Sequence, residues 1–323
     1  IRDRDEGLPP AIPFLPSRVH SYDGGILILG MDGEVLLLGD ELKPRYPYAT
    51  PFPMKISNSS VLNNRLYCTW IDGELMMARM GCIPLDSAPK DGPPRAELRT
   101  TGTVAEAKHP AGNIWSHILN SEPLALGAKG DTLVFALWRK GIYGLTSEAD
   151  ELWRMAEPTW NYPKKRPRDS ETIALHLDGD TFTITSRGGR IQRRSSTTGS
   201  LLEEFIAIGP EAPLEHHFKH GLHELICSTG GELTWVHEGT LLRTLKLNGP
   251  VQFASWDPIL EGWRVAGWRE ELLITATRNE RHQWEEIPVH IEPVKGGALI
   301  LFNDGTWKNS PFEGQVPNVT EED

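Results

Sequence analysis

Residues Leu175–Phe205 read LHLDGDTFTITSRGGRIQRRSSTTGSLLEEF, and the organisation of the whole chain can be worked out from them. A strand runs into the turn Asp178-Gly179-Asp180, and Thr181–Ser186 follows with Phe182 and Ile184 on one face. Arg187-Gly188-Gly189 turns the chain into Arg190–Ser195, and Thr198-Gly199 turns it again into Leu201–Ile206. Side chains of a strand alternate between its faces. Apolar residues at every second position, interrupted at Gly and Asp, therefore specify antiparallel strands joined by tight turns.

The same unit recurs. An early copy is Arg18–Tyr22, Gly25–Gly30 and Glu34–Gly39, and the last is Val289–Val294, Ala298–Phe302 and Thr306–Asn309. The middle turns of the successive copies begin at 32, 72, 140, 188, 230, 269 and 304, in steps of 40, 68, 48, 42, 39 and 35 residues. The long step contains Gly81–Gly112, with Pro84, Pro89, Pro93, Pro94 and Pro110, and reads as an inter-blade insertion at about 81–112. A second irregular stretch, at about 156–170, precedes the quoted unit. A four-stranded repeat of roughly 40–45 residues is the spacing of a propeller blade, whose apolar faces are buried by stacking around a closed ring. The expectation is one all-β domain over residues 1–323, a seven-bladed β-propeller of four-stranded antiparallel blades. The seventh copy has no fourth strand after Asn309, so the N-terminal segment should complete that blade.

Three segments, Asp178–Phe205, Asn63–Met80 and Ala298–Asn309, resemble the repeats of quinoprotein-like and WD40-like β-propellers. The resemblance covers nearly the whole chain and implies the fold. The Trp-anchored docking motif of quinone-binding enzymes is absent, so it lends little to a redox activity, and no cofactor is expected. Trp256-Asp257, the one WD dipeptide, precedes the sixth middle turn instead of ending a third strand and reads as chance.

The formal net charge is −11, which opposes a surface wholly coated by nucleic acid but leaves room for a local basic patch. Cys68, Cys82 and Cys227 are odd in number and widely spaced, so they form neither a disulfide framework nor a zinc knuckle. They favour a reducing, cytoplasmic setting. No apolar run reaches the roughly 18–20 residues of a membrane span, and Ile1 is not followed by a signal segment.

Two groups of side chains stand out. Lys164, Lys165, Arg166 and Arg168, beside Trp160 and Tyr162, lead into a fourth blade that carries Arg187, Arg190, Arg193 and Arg194. Cations interleaved with aromatics can hold a polyanion such as single-stranded nucleic acid, although strand alternation puts Arg190 and Gln192 on one face and Arg193 on the other. The second group is histidine. His216, His217, His220 and His223 fall within eight residues, and His20, His176, His216, His220 and His290 all lie on the first strands of their blades. First strands line a propeller's wet channel, so channel lining is the expected role. HHxxHxxH matches no zinc signature, and no metal site is expected.

No Gly-x-Ser-x-Gly elbow, phosphate-binding loop or His-Glu-x-x-His motif occurs, and paired acids such as Glu203-Glu204 point to opposite faces. No catalytic residue is assigned. The expected function is a non-catalytic protein–protein scaffold or assembly subunit, acting alone or in a hetero-complex through one ring face and the two long loops. A polyanion reader using blade four and an enzyme with its site at the channel mouth are the alternatives.

Overall fold

The computed structural model describes residues 7–39, 41–99, 108–162, 166–211 and 213–312. These form seven antiparallel sheets in chain order, five of four strands and two, the first and the last, of three. The first strands of the blades are Pro16–Tyr22, Lys55–Leu62, Pro123–Lys129, Thr172–Asp178, Leu214–His220, Phe253–Asp257 and Pro288–Val294. Each touches the next, and the seventh returns to the first, so they form a closed inner ring. The chain is a seven-bladed β-propeller.

Burial is layered outward from that ring. Second and third strands are the core: Gly262–Gly267, Glu270–Thr275 and Gly297–Phe302 are buried throughout. Fourth strands such as Leu201–Ile206 and Asn279–Gln283 are largely exposed. This follows from stacking, since a middle strand is covered by neighbours on both edges and by adjacent blades on both faces. Within blade four, Thr181–Ser186, Arg190–Ser195 and Leu201–Ile206 have the bounds expected from the alternation, with Phe182 opposite Arg194 and Ile184 opposite Gln192.

Blade one departs from the four-strand expectation. The chain after Val35–Leu38 runs back beside it through two isolated bridges, Leu38 to Pro44 and Val35 to Ala49. The insertion also lies elsewhere than the sequence suggested. It does not separate blades but falls within blade two, between the third strand, Met77–Pro84, and the fourth, Trp115–Leu119. Its described parts fold back onto blades one and two. The Gly92 amide donates to the Thr50 carbonyl and the Ala111 amide to that of Pro51, while Leu85 and Leu98 enter the core. Proline-rich sequence here marks an ordered wrap.

The ring closes at one seam. The seventh sheet has three strands among the described residues, and the described part of the N-terminal segment, from residue 7, does not add a fourth. It supplies the end of one: the Ile12 amide donates to the Gly305 carbonyl at 2.9 Å. Residues just after the fourth strands of blades four and five make the same bond, Ala207 to Gly189 and Leu247 to Gly231. Ile12 also packs with Val19, Ile28, Leu299, Leu301 and Trp307 in a core shared by the first and last blades.

Gly305 makes this closure possible. Its φ is +85°, and a Cβ there would lie 2.4 Å from the Ile12 carbonyl oxygen. Gly305→Ala should lower stability by about 2 kcal/mol, from backbone strain and crowding together. Gly179, at φ +56° with nothing near its Cβ position, isolates the strain alone. Urea midpoints should therefore fall further for Gly305→Ala than for Gly179→Ala. Equal shifts would mean that the seam contributes nothing.

Candidate functional site

Structure divides the basic residues of blade four. Tyr162, Arg166 and Arg190 line one cavity of about 650 Å³, with Gly188, Gly189, Ile206, Ala207 and residues 209–211. Tyr162 lies against Gly188, where a Cβ would come within 2.6 Å of its ring. Arg193 is on the other face, as alternation requires, and lines a different cavity at the channel mouth with Lys129, His176 and Lys219. Arg194 is not on the surface. It is buried, donating to the Gln192 side chain and the Gly199 carbonyl. Trp160 is likewise buried, in the core with Trp153 and Phe182.

Most of the remaining charge is neutralised locally. Arg166 lies 3.5 Å from Asp169, Arg168 2.7 Å from Glu171, Arg190 3.9 Å from Glu204 and Arg193 3.0 Å from Glu203. Arg187 has no such partner among the described residues, and Lys164 and Lys165 lie outside them. Among the described residues no continuous cationic stripe results.

The histidines take two environments. His20, His176, His216 and His290 sit on first strands at the inner ring. Burial pushes His20 and His176 down to about 3 and His216 to about 4. Arg18 and His290 add to the shift at His20, His217 at His176, and Arg18 at His216. His176 donates from Nε2 to the His217 carbonyl at 2.7 Å, which fixes its tautomer. His217, buried, reaches Thr185 Oγ1 at 2.7 Å and Glu224 Oε2 at 2.8 Å. Despite burial, His217 and Lys219 hold the Glu224 carboxyl down at about 2.

His220 belongs to the second environment. At the end of its strand it turns into a cavity of about 480 Å³ between blades five and six, formed by their first-to-second and third-to-fourth turns. There the rings stack: His220 on Trp256 at 5.5 Å, Trp256 on His223 at 4.1 Å, and His223 on His237 at 4.2 Å. Trp235 Nε1 donates to His223 Nδ1 at 3.1 Å, so the His223 proton sits on Nε2. Burial, then His237 and His220, lower its pKa, which favours the neutral form of this ring. Around the rim Leu222 is 59% exposed and Leu242 41%. Exposed aliphatics around a rigid aromatic floor are what a protein interface uses for anchors.

Sequence reasoning reached this pocket only through its histidines. Trp235, Trp256 and Leu222 come from three turns and strands of two blades, and alternation does not reveal that they meet. The Trp256-Asp257 pair was the available signal. Asp257 Oδ1 accepts the amides of Ile259 and Leu260, shaping the turn that holds Trp256 in place.

No family model matches the chain, and no curated protein matches its sequence. Solved structures do. The β-propeller domain of Cps50 (Swd1) from Myceliophthora thermophila aligns with a TM-score of 0.67 at 10% identity, over 93% of this chain and 98% of that one. The WD40 β-propeller domain of Doa1 aligns at 0.62 and 12%, over 96% and 95%. BamB from Moraxella catarrhalis aligns at 0.59 and 11%, over 94% and 99%. The likeness is one of fold. Both kinds of propeller named by the repeat pattern are among these neighbours, so the resemblance holds at that level.

Among the described residues no set of three His, Cys, Asp or Glu side chains could hold a metal ion, and no helix is long and apolar enough to cross a membrane. The propeller's pocket offers stacking and apolar contact more readily than acid–base chemistry.

Proposed function

We propose that this propeller is a non-catalytic scaffold that binds a protein partner through the pocket between blades five and six. The stacked His220, Trp256, His223 and His237, rimmed by exposed Leu222 and Leu242, support this reading most. Such a surface is costly to leave in water and gives flat rings and aliphatic anchors to a complementary side chain. Swd1, Doa1 and BamB supply the fold in this argument and no partner. The polyanion reading draws less support, because the blade-four cations are divided between two cavities and mostly paired. The three buried, free cysteines are in keeping with a reducing, cytoplasmic setting.

Quantitative affinity capture from the source lysate, in high salt and with nuclease, tests this. A defined protein retained by the wild type should be lost with Leu222→Asp, a turn-tip change that leaves the melting temperature unaltered. Trp256→Ala should weaken the same complex by roughly thirtyfold, the scale of a hot-spot residue. Identical capture by wild type and Leu222→Asp would overturn the assignment, as would retention of nucleic acid alone.

A further inference from the structure

The cavity at the channel mouth has a volume of about 540 Å³ and draws its lining from four successive blades. Blade two contributes Ser60, blade three Lys129, blade four His176 and Arg193, and blade five Lys219. His176 and Arg193 both stand opposite Thr183 in the strand register, so their side chains share one face of blade four. Lys129 and Lys219 lie at the ends of the first strands on either side of that blade.

Three cations therefore meet at one opening, and Asp178 is the one carboxylate that lines it with them. The other acids that pair with these cations come from farther out in their blades. Glu203 meets Arg193 at 3.0 Å from the fourth strand of blade four, and Glu224 meets Lys219 at 3.4 Å from the second strand of blade five. Neither lines the cavity. In the Lys129–Asp178 and Arg193–Glu203 pairs all four side chains are more than half exposed, where an ion pair is worth little and gives way to a stronger anion. An ammonium has three donors and a guanidinium five, so one carboxylate apiece leaves most of them for a ligand. A cleft lined mainly by one sign of charge also gathers the opposite ion from solution. Two lining groups suit hydroxyls. The Ser60 hydroxyl makes no hydrogen bond among the described residues, and His176, its proton held on Nε2 by the His217 carbonyl, keeps Nδ1 as an acceptor. No Phe, Tyr or Trp lines the cavity, so it lacks a broad platform for a nucleobase.

We propose that the channel mouth binds a phosphorylated sugar or polyol, its phosphates on Lys129, Lys219 and Arg193 and its hydroxyls on Ser60 and His176. A phosphate group brings nearly two charges and three acceptor oxygens, more than a single carboxylate can set against three cations, and charge-assisted bonds of this kind are the strong ones. The site shares one lining residue, Gly221, with the pocket between blades five and six and does not depend on what binds there.

The test is calorimetric titration of the full chain with fructose 1,6-bisphosphate in low-salt buffer, alongside fructose and inorganic phosphate. The bisphosphate should bind saturably at one site, phosphate more weakly and fructose not at all. Lys129→Gln and Lys219→Gln should each bind the bisphosphate roughly ten- to a hundredfold more weakly, the loss of a charge-assisted contact. Arg154→Gln removes the same charge from the outer strand of blade three and should bind as wild type does. Lys129 is more than half exposed at a strand end, so its variant should melt with the wild type even if Lys219→Gln, which takes a partner from Glu224, does not. Absence of saturable binding, phosphate binding as tight as that of the bisphosphate, or equal affinities for Lys129→Gln and Arg154→Gln would overturn the proposal.

Discussion

Between pH 6.5 and 4.5 the propeller should lose about 5 kcal/mol of stability. Three inner-ring histidines drive this, His20 and His176 held down at about 3 and His216 at about 4, first by burial. Unfolded, each titrates near 6.5. Below that pH the unfolded chain takes up three protons that the folded chain refuses, and stability falls as pH falls by about 1.4 kcal/mol per unit for each. Glu271 opposes them. Burial raises its carboxyl to about 7, so between 7 and 4.5 the folded chain holds a proton that the unfolded chain has released. One proton in the other direction leaves a net of about two, or roughly 3 kcal/mol per pH unit. Below 4.5 Glu224, held at about 2, turns against the fold as well. Total stabilities of about 5–15 kcal/mol place acid unfolding near pH 4–5. Urea midpoints read by tryptophan fluorescence from pH 7 to 4 check this, and His216→Gln should flatten the slope by one proton. A midpoint constant over that range would refute the inner-ring account.

Arg264→Met should cost about 3–5 kcal/mol at pH 8, the second large effect. Arg264 is 1% exposed on the second strand of blade six, with Nε 2.7 Å from Asp257 Oδ2 and Nη1 3.8 Å from Glu271 Oε1. It also reaches Ser310 Oγ and the Phe312 carbonyl, so this buried cluster ties blade six to the end of blade seven. Removing the cation leaves two carboxyl groups buried without it. Glu271 can escape by keeping its proton, so the cost should be smaller at pH 6 than at pH 8. Adding Glu271→Gln to Arg264→Met should recover part of the loss at pH 8. Denaturation at the two pH values distinguishes this from a simple packing defect, for which the loss would not depend on pH.

Blade four was legible from its residues because Phe182, Ile184 and Ile191 alternate cleanly and Gly and Asp mark each turn. Blade two was harder. Trp115–Leu119 is a short outer strand with little buried surface, and alternation is faint where neither face is covered. Five prolines upstream then disguised a loop inside a blade as a loop between blades. The candidate site resisted for a different reason. Trp256 of blade six meets His223 and Trp235 of blade five across the junction between blades, which no local pattern encodes. Counting cations misled in the opposite sense, since Arg193 and Arg194 are adjacent in sequence yet one faces water and the other is enclosed.

Six of the seven junctions between blades are crossed by the peptide chain itself, and the seventh is held by Ile12, Gly305 and the core around them. A load drawn through the two ends of the propeller therefore arrives at the one junction that has no covalent bridge. Tethers or fusions placed at the ends strain that junction first, whereas an attachment at a turn of blade three or four leaves it at rest. For this propeller the point of attachment, more than the total buried area, sets how much pull it withstands.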